Sequence, residues 1–444
     1  MRDYSKWKQS YIMTTLSPTR IDTDMTHPSV SLARNIYDGV TLSKIVEIRD
    51  TLIDMQNRGE RVYRMESGTP AYPLFPEVAE AIIKAVRDNK TFYTEGTGIR
   101  PLRAKICEKL ARKNGINHDL SDETVFVGQG AMGVLYCVLS GLLSPEDTII
   151  SPSPVWESIS NIAKLSSARV IELEIREELG FNWDFDEFAS TVERTKPRAV
   201  IIVNPGNPTG GIFPKEQVEP LFDLVRRFGF YVIEDLAYED LVYDPEYVLL
   251  TRRAHATNDP EIYSRFIPIF SMSKSQNFSG LRLGYTHLSH PHLIERFRKA
   301  LLYTTNGVNS ISQWGAVEAL DAKHESRLRE MAEGYKARGD ALHEGLVKAG
   351  IFRFAGKPKG AFYWFPHIDR AKLAAQARGR FHVPAADDPT PLGEWMAKYI
   401  LKSGIGSIAG HYFGPSAHEH IRFAYTCSLD DCRGAGQKLA ELFG

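Results

Sequence analysis

The chain has 444 residues, 43% of them hydrophobic, with 54 Lys+Arg against 55 Asp+Glu and a net charge of −1. At about 100–200 residues per domain this length supports a large core and more than one domain, and balanced charge without a long basic block argues against nucleic acid as the main partner. The longest apolar runs, such as 134–143, fall far short of the ~20 residues of a membrane helix, residues 1–8 lack the apolar core of a signal peptide, and Cys107, Cys137, Cys427 and Cys432 form no CxxC pair, so free thiols in a reducing cytoplasm are expected.

Residues 1–41 are expected to be an N-terminal arm, its first part with little periodicity. An amphipathic helix is expected over 42–58, stopped by Gly59. Residues 124–127 read as a strand and 132–143 as the apolar helix after it. Strand-like runs follow at 147–150 and 169–175, with a helix at 157–164 between them. Residues 199–203 are continuously apolar and end in an Asn/Pro/Gly turn; 215–228 has helical spacing; 231–233, 267–270 and 281–285 are strands again. Repeated strand–helix units of this length imply a three-layer α/β/α body with a mainly parallel sheet. Beyond it, 324–350 is one long helical pattern, 361–366 and 420–425 look like strands, and 429–442 is a closing helix. The Ala-, Arg- and Pro-rich 370–390 segment reads as an inserted loop. The expected organisation is a large domain at 76–322 and a smaller α+β domain built from 42–75 and 323–444.

Several polar groups fall at strand ends. Asn207 lies in Asn204-Pro205-Gly206-Asn207-Pro208-Thr209-Gly210, which is also ordinary turn chemistry. Asp235 ends Tyr231-Val232-Ile233-Glu234-Asp235, with Tyr238 three residues on; a helix N-cap and core packing are the plain alternatives for these two. Lys274 closes Ser271-Met272-Ser273-Lys274, and Arg282 follows in Gly280-Leu281-Arg282-Leu283-Gly284. Ligands of open α/β sheets bind beyond the carboxyl ends of strands, so Asn207, Asp235 and Lys274 can converge.

That inventory suits pyridoxal phosphate. An amine such as Lys274 forms a Schiff base with the aldehyde and then moves the Cα proton, helped by a pKa lowered through desolvation and nearby cations. Asp235 would keep the pyridine nitrogen protonated, which makes the ring an electron sink. Asn207 and Tyr238 would donate to the phenolate oxygen. Ser271, Ser273 and Arg282 suit a phosphate dianion, as do the free N–H groups of the helix opened by Gly128-Gln129-Gly130-Ala131-Met132-Gly133. Trp156 would stack on the ring or pack in the core. Arg422, in Ile421-Arg422-Phe423-Ala424-Tyr425, would fork onto a substrate α-carboxylate. No metal is expected.

Taken together, the NPxNPTG turn at 204–210, the DxxY at 235–238, the SxSK at 271–274 with Arg282, the 93–103 stretch and the Arg422 segment resemble the fold-type I aminotransferases of the class I/II family, from about Leu42 to the C-terminus. The resemblance implies an α-amino acid and a 2-oxo acid as substrates and a homodimer with its sites at the interface. It also implies that Tyr93 reaches the phosphate of the neighbouring subunit and that Gly68 lines the substrate side. One departure bears on specificity. Some relatives carry a lysine near the Met132 position for a side-chain carboxylate, and Met132 cannot do that, so an uncharged or aromatic amino acid is expected over a dicarboxylic one. The alternative within the same cofactor chemistry is a lyase, decarboxylase or oxidase of a specialised biosynthetic pathway. A non-enzymatic regulator would need an N-terminal DNA-binding domain, for which 1–41 is too short and insufficiently basic.

Overall fold

Seven short runs rich in Val, Ile and Phe pair into one sheet: β1 (Val125–Gln129), β2 (Thr148–Ser153), β3 (Arg169–Glu174), β4 (Ala199–Val203), β5 (Tyr231–Leu236), β6 (Phe266–Ser271) and β7 (Leu283–His287). The computed structural model describes residues 36–40, 45–166, 168–377 and 379–444. Apart from 36–40, the expected N-terminal arm lies outside the described residues. The strand order is β1-β7-β6-β5-β4-β2-β3. Strands β2 to β6 pair in parallel, whereas β7 is antiparallel to both β6 and β1.

Side-chain alternation makes the three layers. Along β4, Ala199 and Ile201 enter one core with Val134, Val138 and Phe297. Val200 and Ile202 enter the opposite core with Phe188, Phe222 and Val225. A strand with apolar residues on both faces has to be covered on both, and helices cover it here.

The reversal of β7 follows from chain length. The connection 272–282 is shorter than the dozen or so residues that a parallel crossover needs, so the chain turns back. Lys274 and Arg282 therefore share one connection at the C-terminal end of β6, beside the ends of β5 and β4. The strand expected over 281–285 begins two residues later, because Arg282 takes a left-handed backbone (φ 57°). Its carbonyl then accepts the N–H of Gly130 at 2.9 Å, which docks the Gly130–Leu142 helix against β7.

A second core joins both chain ends. Met65 packs with Tyr335, Leu342, Phe362, Phe423 and Leu439, and Tyr238 and Leu241 enter the same cluster from the end of β5. Short strands accompany it: β8 (Phe352–Arg353) with β10 (His367–Ile368), and β9 (Tyr363–Trp364), β11 (Ile408–Ala409) and β12 (Ile421–Ala424) in the order β11-β12-β9. The strand expected over 361–366 shrinks to two residues. Ala361 has φ 58°, and Gly360 lies so close to the Pro205 ring that a Cβ would collide with it. The 370–390 segment is not simply a loop: Arg370–Ala377 is a helix, started by Asp369, whose side chain accepts the N–H of Lys372 at 3.0 Å.

The Glu325–Lys348 and Leu429–Phe443 helices cross where Gly345 meets Gly436, and a Cβ on Gly345 would strike the Gly436 backbone. Gly345→Ala is therefore expected to destabilise the protein by about 1–3 kcal/mol through overpacking, read as a lowered urea midpoint. An unchanged midpoint would show that the helices separate freely.

Candidate active site

A cavity of about 300 Å³ opens at the carboxyl ends of β4, β5 and β6. It is lined by Gly68, Ala131, Met132, Trp156, Asn207, Asp235, Tyr238, Ser271, Ser273, Lys274, Arg282 and Arg422, all singled out in the sequence. Gly130 lies behind this lining at φ 67°, where a Cβ would stand 2.7 Å from Arg282 Nη2. Only Tyr93 stays apart. It is 91% exposed and borders a separate recess with 305–311.

Lys274 follows β6 in a single helical turn, Met272–Ser275, capped by Ser271, whose Oγ accepts the N–H of Ser273 at 3.2 Å. Its Nζ donates to the Gly68 carbonyl at 2.9 Å. Burial, then Arg422 and Arg282, push its pKa down to about 8, with Asp235 opposing. Asp235 is buried near the end of β5 and accepts the N–H of Ala237 at 3.0 Å. Burial outweighs that bond and the nearby Lys274, and pushes the carboxyl up to about 6.

Arg422 is fully buried on β12. Nη1 donates to Asn207 Oδ1 at 3.1 Å and Nη2 to the Glu66 carbonyl at 2.7 Å. The guanidinium carbon lies 4.6 Å from the centre of the Tyr363 ring and 4.8 Å from that of Phe413. Nε has no partner. Because Asn207 spends its oxygen on Arg422, its amide nitrogen remains as a donor, and its backbone carbonyl accepts the Trp156 N–H at 2.9 Å. Arg282 Nη1 donates to the Ser279 carbonyl at 3.0 Å and lies 3.4 Å from Ser273 Oγ. Gln129, ahead of the Gly130–Leu142 helix, supplies no side-chain cap, and the Gly130 N–H is taken by the Arg282 carbonyl, so the N–H groups that follow it, at Ala131 and Met132, are left for a ligand.

These residues fit pyridoxal phosphate on their own chemistry. A buried carboxylate whose charge is under-compensated matches a pyridinium N–H. Arg282, two serine hydroxyls and uncapped helix N–H groups match a phosphate dianion. A desolvated lysine with a lowered pKa matches an aldehyde.

The sequence reading missed Tyr363. Its hydroxyl lies 2.8 Å from that of Tyr238, so Tyr238 is already paired at its tip. Ser67, Thr69 and Ser279 also line the cavity. Ser67 and Thr69 flank Gly68 and were visible as neighbours, but Tyr363 comes from β9 and carried no signal beyond a strand pattern.

Beneath the site, Asp240 ties two of its turns together. It pairs with Lys113 and accepts Gln276 Nε2 at 3.3 Å, two residues past Lys274, while Lys109 pairs with Glu239. Burial raises the Asp240 carboxyl, and Lys113 and Lys109 more than reverse it.

Comparison with known proteins agrees with this geometry. Residues 60–439 match the family described as aminotransferase class I and II. The chain is 29% identical over 405 residues to the aspartate/prephenate aminotransferase of Thermus thermophilus, covering 90% of this chain and 96% of the relative. The solved structure of the Thermus thermophilus aspartate aminotransferase with maleate superposes with TM-score 0.80 at 26% identity, over 93% of this chain and 99% of that one. An aromatic aminotransferase from Pyrococcus horikoshii OT3 gives 0.74 at 25% identity, over 88% and 98%. Fold and site thus define a fold-type I pyridoxal phosphate enzyme. The chain belongs to the class I and II aminotransferase family, and it is an aminotransferase rather than the lyase, decarboxylase or oxidase kept as the alternative.

Asp240→Ala strands Lys113 at the base of the site. Breaking one partner of a fully buried pair costs about 3–5 kcal/mol; Lys113 keeps 27% exposure and has Glu239 nearby, so apoprotein unfolding in urea is expected to shift by about 1–3 kcal/mol. A shift below ~1 kcal/mol would mean that water reaches Lys113 and screens it.

Proposed function

We propose that this aminotransferase takes an uncharged, preferably aromatic, α-amino acid as donor and passes its amino group to a 2-oxo acid. The supporting observation is the count of cations. Among the described residues, Lys274, Arg282 and Arg422 are the cations that line the cavity, and each has a task. Arg282 serves the phosphate, with Ser271, Ser273 and the N–H groups at Ala131 and Met132, while Gly130, whose own N–H is taken by the Arg282 carbonyl, gives the close approach. Lys274 serves the reacting carbon. Arg422 offers its fork to the α-carboxylate beside Gly68 and Asn207. Among the described residues of one protomer no further cation lines the cavity, and Met132 and Trp156 offer apolar surface instead.

Bound in this cavity, pyridoxal phosphate supplies an aldehyde that condenses with amines and a pyridinium ring that takes up the electrons of the broken Cα–H bond. Asp235 would keep the ring nitrogen protonated, Asn207 Nδ2 and the Tyr238 hydroxyl, the latter oriented by Tyr363, would donate to the phenolate oxygen, and Trp156 would pack on the ring. The Lys274 amine would take the Cα proton of the donor and return it. Tyr93 completes the phosphate site across a homodimer interface, in keeping with its exposure beside its chain neighbour Phe92 (79%). We read the domains as 42–75 with 323–444 around 76–322, in a cytoplasmic protein with free thiols. No helix among the described residues is long and apolar enough to cross a membrane.

An acidic donor is the competing reading, carried by the names of the relatives from Thermus thermophilus. Single-turnover rates for phenylalanine, alanine and aspartate separate the two. Phenylalanine is expected to be fastest, and aspartate as the fastest donor would overturn the specificity. Arg422→Lys is expected to cost about 1.5–3 kcal/mol in kcat/KM, as a point charge replaces a fork holding a charged group.

Lys274 gives a pH test. Its amine is protonated below about 8 and neutral above, and only the neutral amine condenses with an aldehyde. Apoprotein should capture pyridoxal phosphate at a rate that rises with pH and levels off above about 8. Borohydride reduction should then fix the label on Lys274. A rate still climbing near an ordinary lysine pKa, or label on another lysine, contradicts the assignment.

A further inference from the structure

Cys427 and Cys432 have no part in the chemistry above, yet their sulfur atoms lie 3.5 Å apart. Their meeting has a local cause. Ser428 is the N-cap of the Leu429–Phe443 helix: its Oγ accepts the Asp431 N–H at 3.0 Å, and its carbonyl accepts the Cys432 N–H at 3.0 Å. Cys427 is then the residue before the cap and Cys432 the fourth helical residue. Those are the two positions of a hydrophobic staple, whose side chains pack on each other wherever such a helix starts. In most helices the staple is a pair of unreactive apolar side chains. Here both members are thiols.

The surroundings suit reaction. Cys432 is buried, while Cys427 is only half-buried and open to a small reagent. The hydrogen bond with Cys427 and burial hold the Cys432 thiol well above its ordinary range, outweighing the Arg338 guanidinium, whose Nη1 lies 3.5 Å from the Thr426 carbonyl, so Cys432 enters as the protonated, resolving thiol. Cys107 and Cys137 have no thiol recorded against them: buried Cys137 faces Thr304 Oγ1 at 3.6 Å, and burial, against the nearby Arg103, pushes the Cys107 thiol up to about 11.

We propose that Cys427 and Cys432 form a reversible dithiol–disulfide site, closed by a hydroperoxide and reopened by a thiol reductant. The Cys427 thiolate attacks the peroxide oxygen, breaks the O–O bond and becomes a sulfenic acid, while the other oxygen leaves as hydroxide and takes up a proton. Cys432 sulfur then attacks Cys427 sulfur, gives up its proton, and the hydroxyl leaves as water. Two thiols and one hydrogen peroxide yield one disulfide and two waters; the sulfurs lose two electrons and the peroxide gains them. Closure asks the sulfurs to approach from 3.5 Å to about 2 Å. Cys432 is fixed in a helix, so the 426–428 turn makes the movement. That turn also holds the cavity wall, since Thr426 Oγ1 donates to the Ser67 carbonyl at 2.9 Å, next to Gly68.

The test uses purified holoenzyme treated with hydrogen peroxide, quenched with N-ethylmaleimide and mapped by mass spectrometry without reduction. The expected product is one peptide spanning 427–432, lighter by two hydrogens, without maleimide, and restored by dithiothreitol, while Cys107 and Cys137 remain alkylated after unfolding. In Cys432→Ser the Cys427 sulfenic acid should persist and be trapped by dimedone. In Cys427→Ser, Cys432 should stay reduced at the same dose. Direct passage of Cys427 to sulfinic acid in the native protein, oxidation of Cys107 ahead of the pair, or Cys432 oxidised as fast in Cys427→Ser would each overturn the proposal.

Discussion

The buried guanidinium of Arg422 is the interaction on which this site depends. It reaches from β12, near the end of the chain, to Asn207 after β4 and to the Glu66 carbonyl near the beginning. Three segments far apart in sequence are pinned by one planar group. A charge taken out of water is tolerated only when it is paired or well hydrogen-bonded. Arg422 has two such bonds and two aromatic faces, but its Nε is unsatisfied.

The same cation sets the behaviour of its neighbours. Lys274, Arg282 and Arg422 share one cavity with Asp235. Burial and then repulsion from the two arginines lower the lysine, and burial raises the aspartate. Each shift moves its group toward neutrality, which is how a low-dielectric pocket answers excess charge. On the proposed reading, a phosphate dianion at Arg282 and a protonated ring nitrogen at Asp235 would offset that charge from opposite ends, and Lys274 would give and take a proton near physiological pH.

Relatives share the scaffold across almost the whole chain at 25–29% identity. A scaffold held in common fixes cofactor chemistry more firmly than substrate choice, since specificity lives in the few side chains around the bound donor. Met132 and Trp156 line the cavity and are the proposed members of that group. They sit at the opening of a helix and just after a strand, where substitution changes the pocket and leaves the sheet untouched.

Local sequence determined the cofactor half of this protein. Apolar runs must become buried strands, the Asn/Pro/Gly turn must follow β4, and short-range spacing sets Asp235, Lys274 and Arg282 at neighbouring strand ends. Alternation alone also placed the three layers. Other features depended on contacts between distant segments. Tyr363 became the partner of Tyr238 only because β9 packs against the end of β5. The strand at 281–285 lost two residues because Arg282 had to turn left-handed to receive the helix at Gly130. The helix at Arg370–Ala377 was concealed by the prolines that follow it, although Asp369 supplied its cap. The pKa of Lys274 arises from Arg422, 148 residues away in the chain, as well as from burial. Periodicity and turn chemistry act over a few residues and can be read along the chain, whereas charge, burial and hydroxyl pairing act through space and exist only once the two chain ends have met over the sheet.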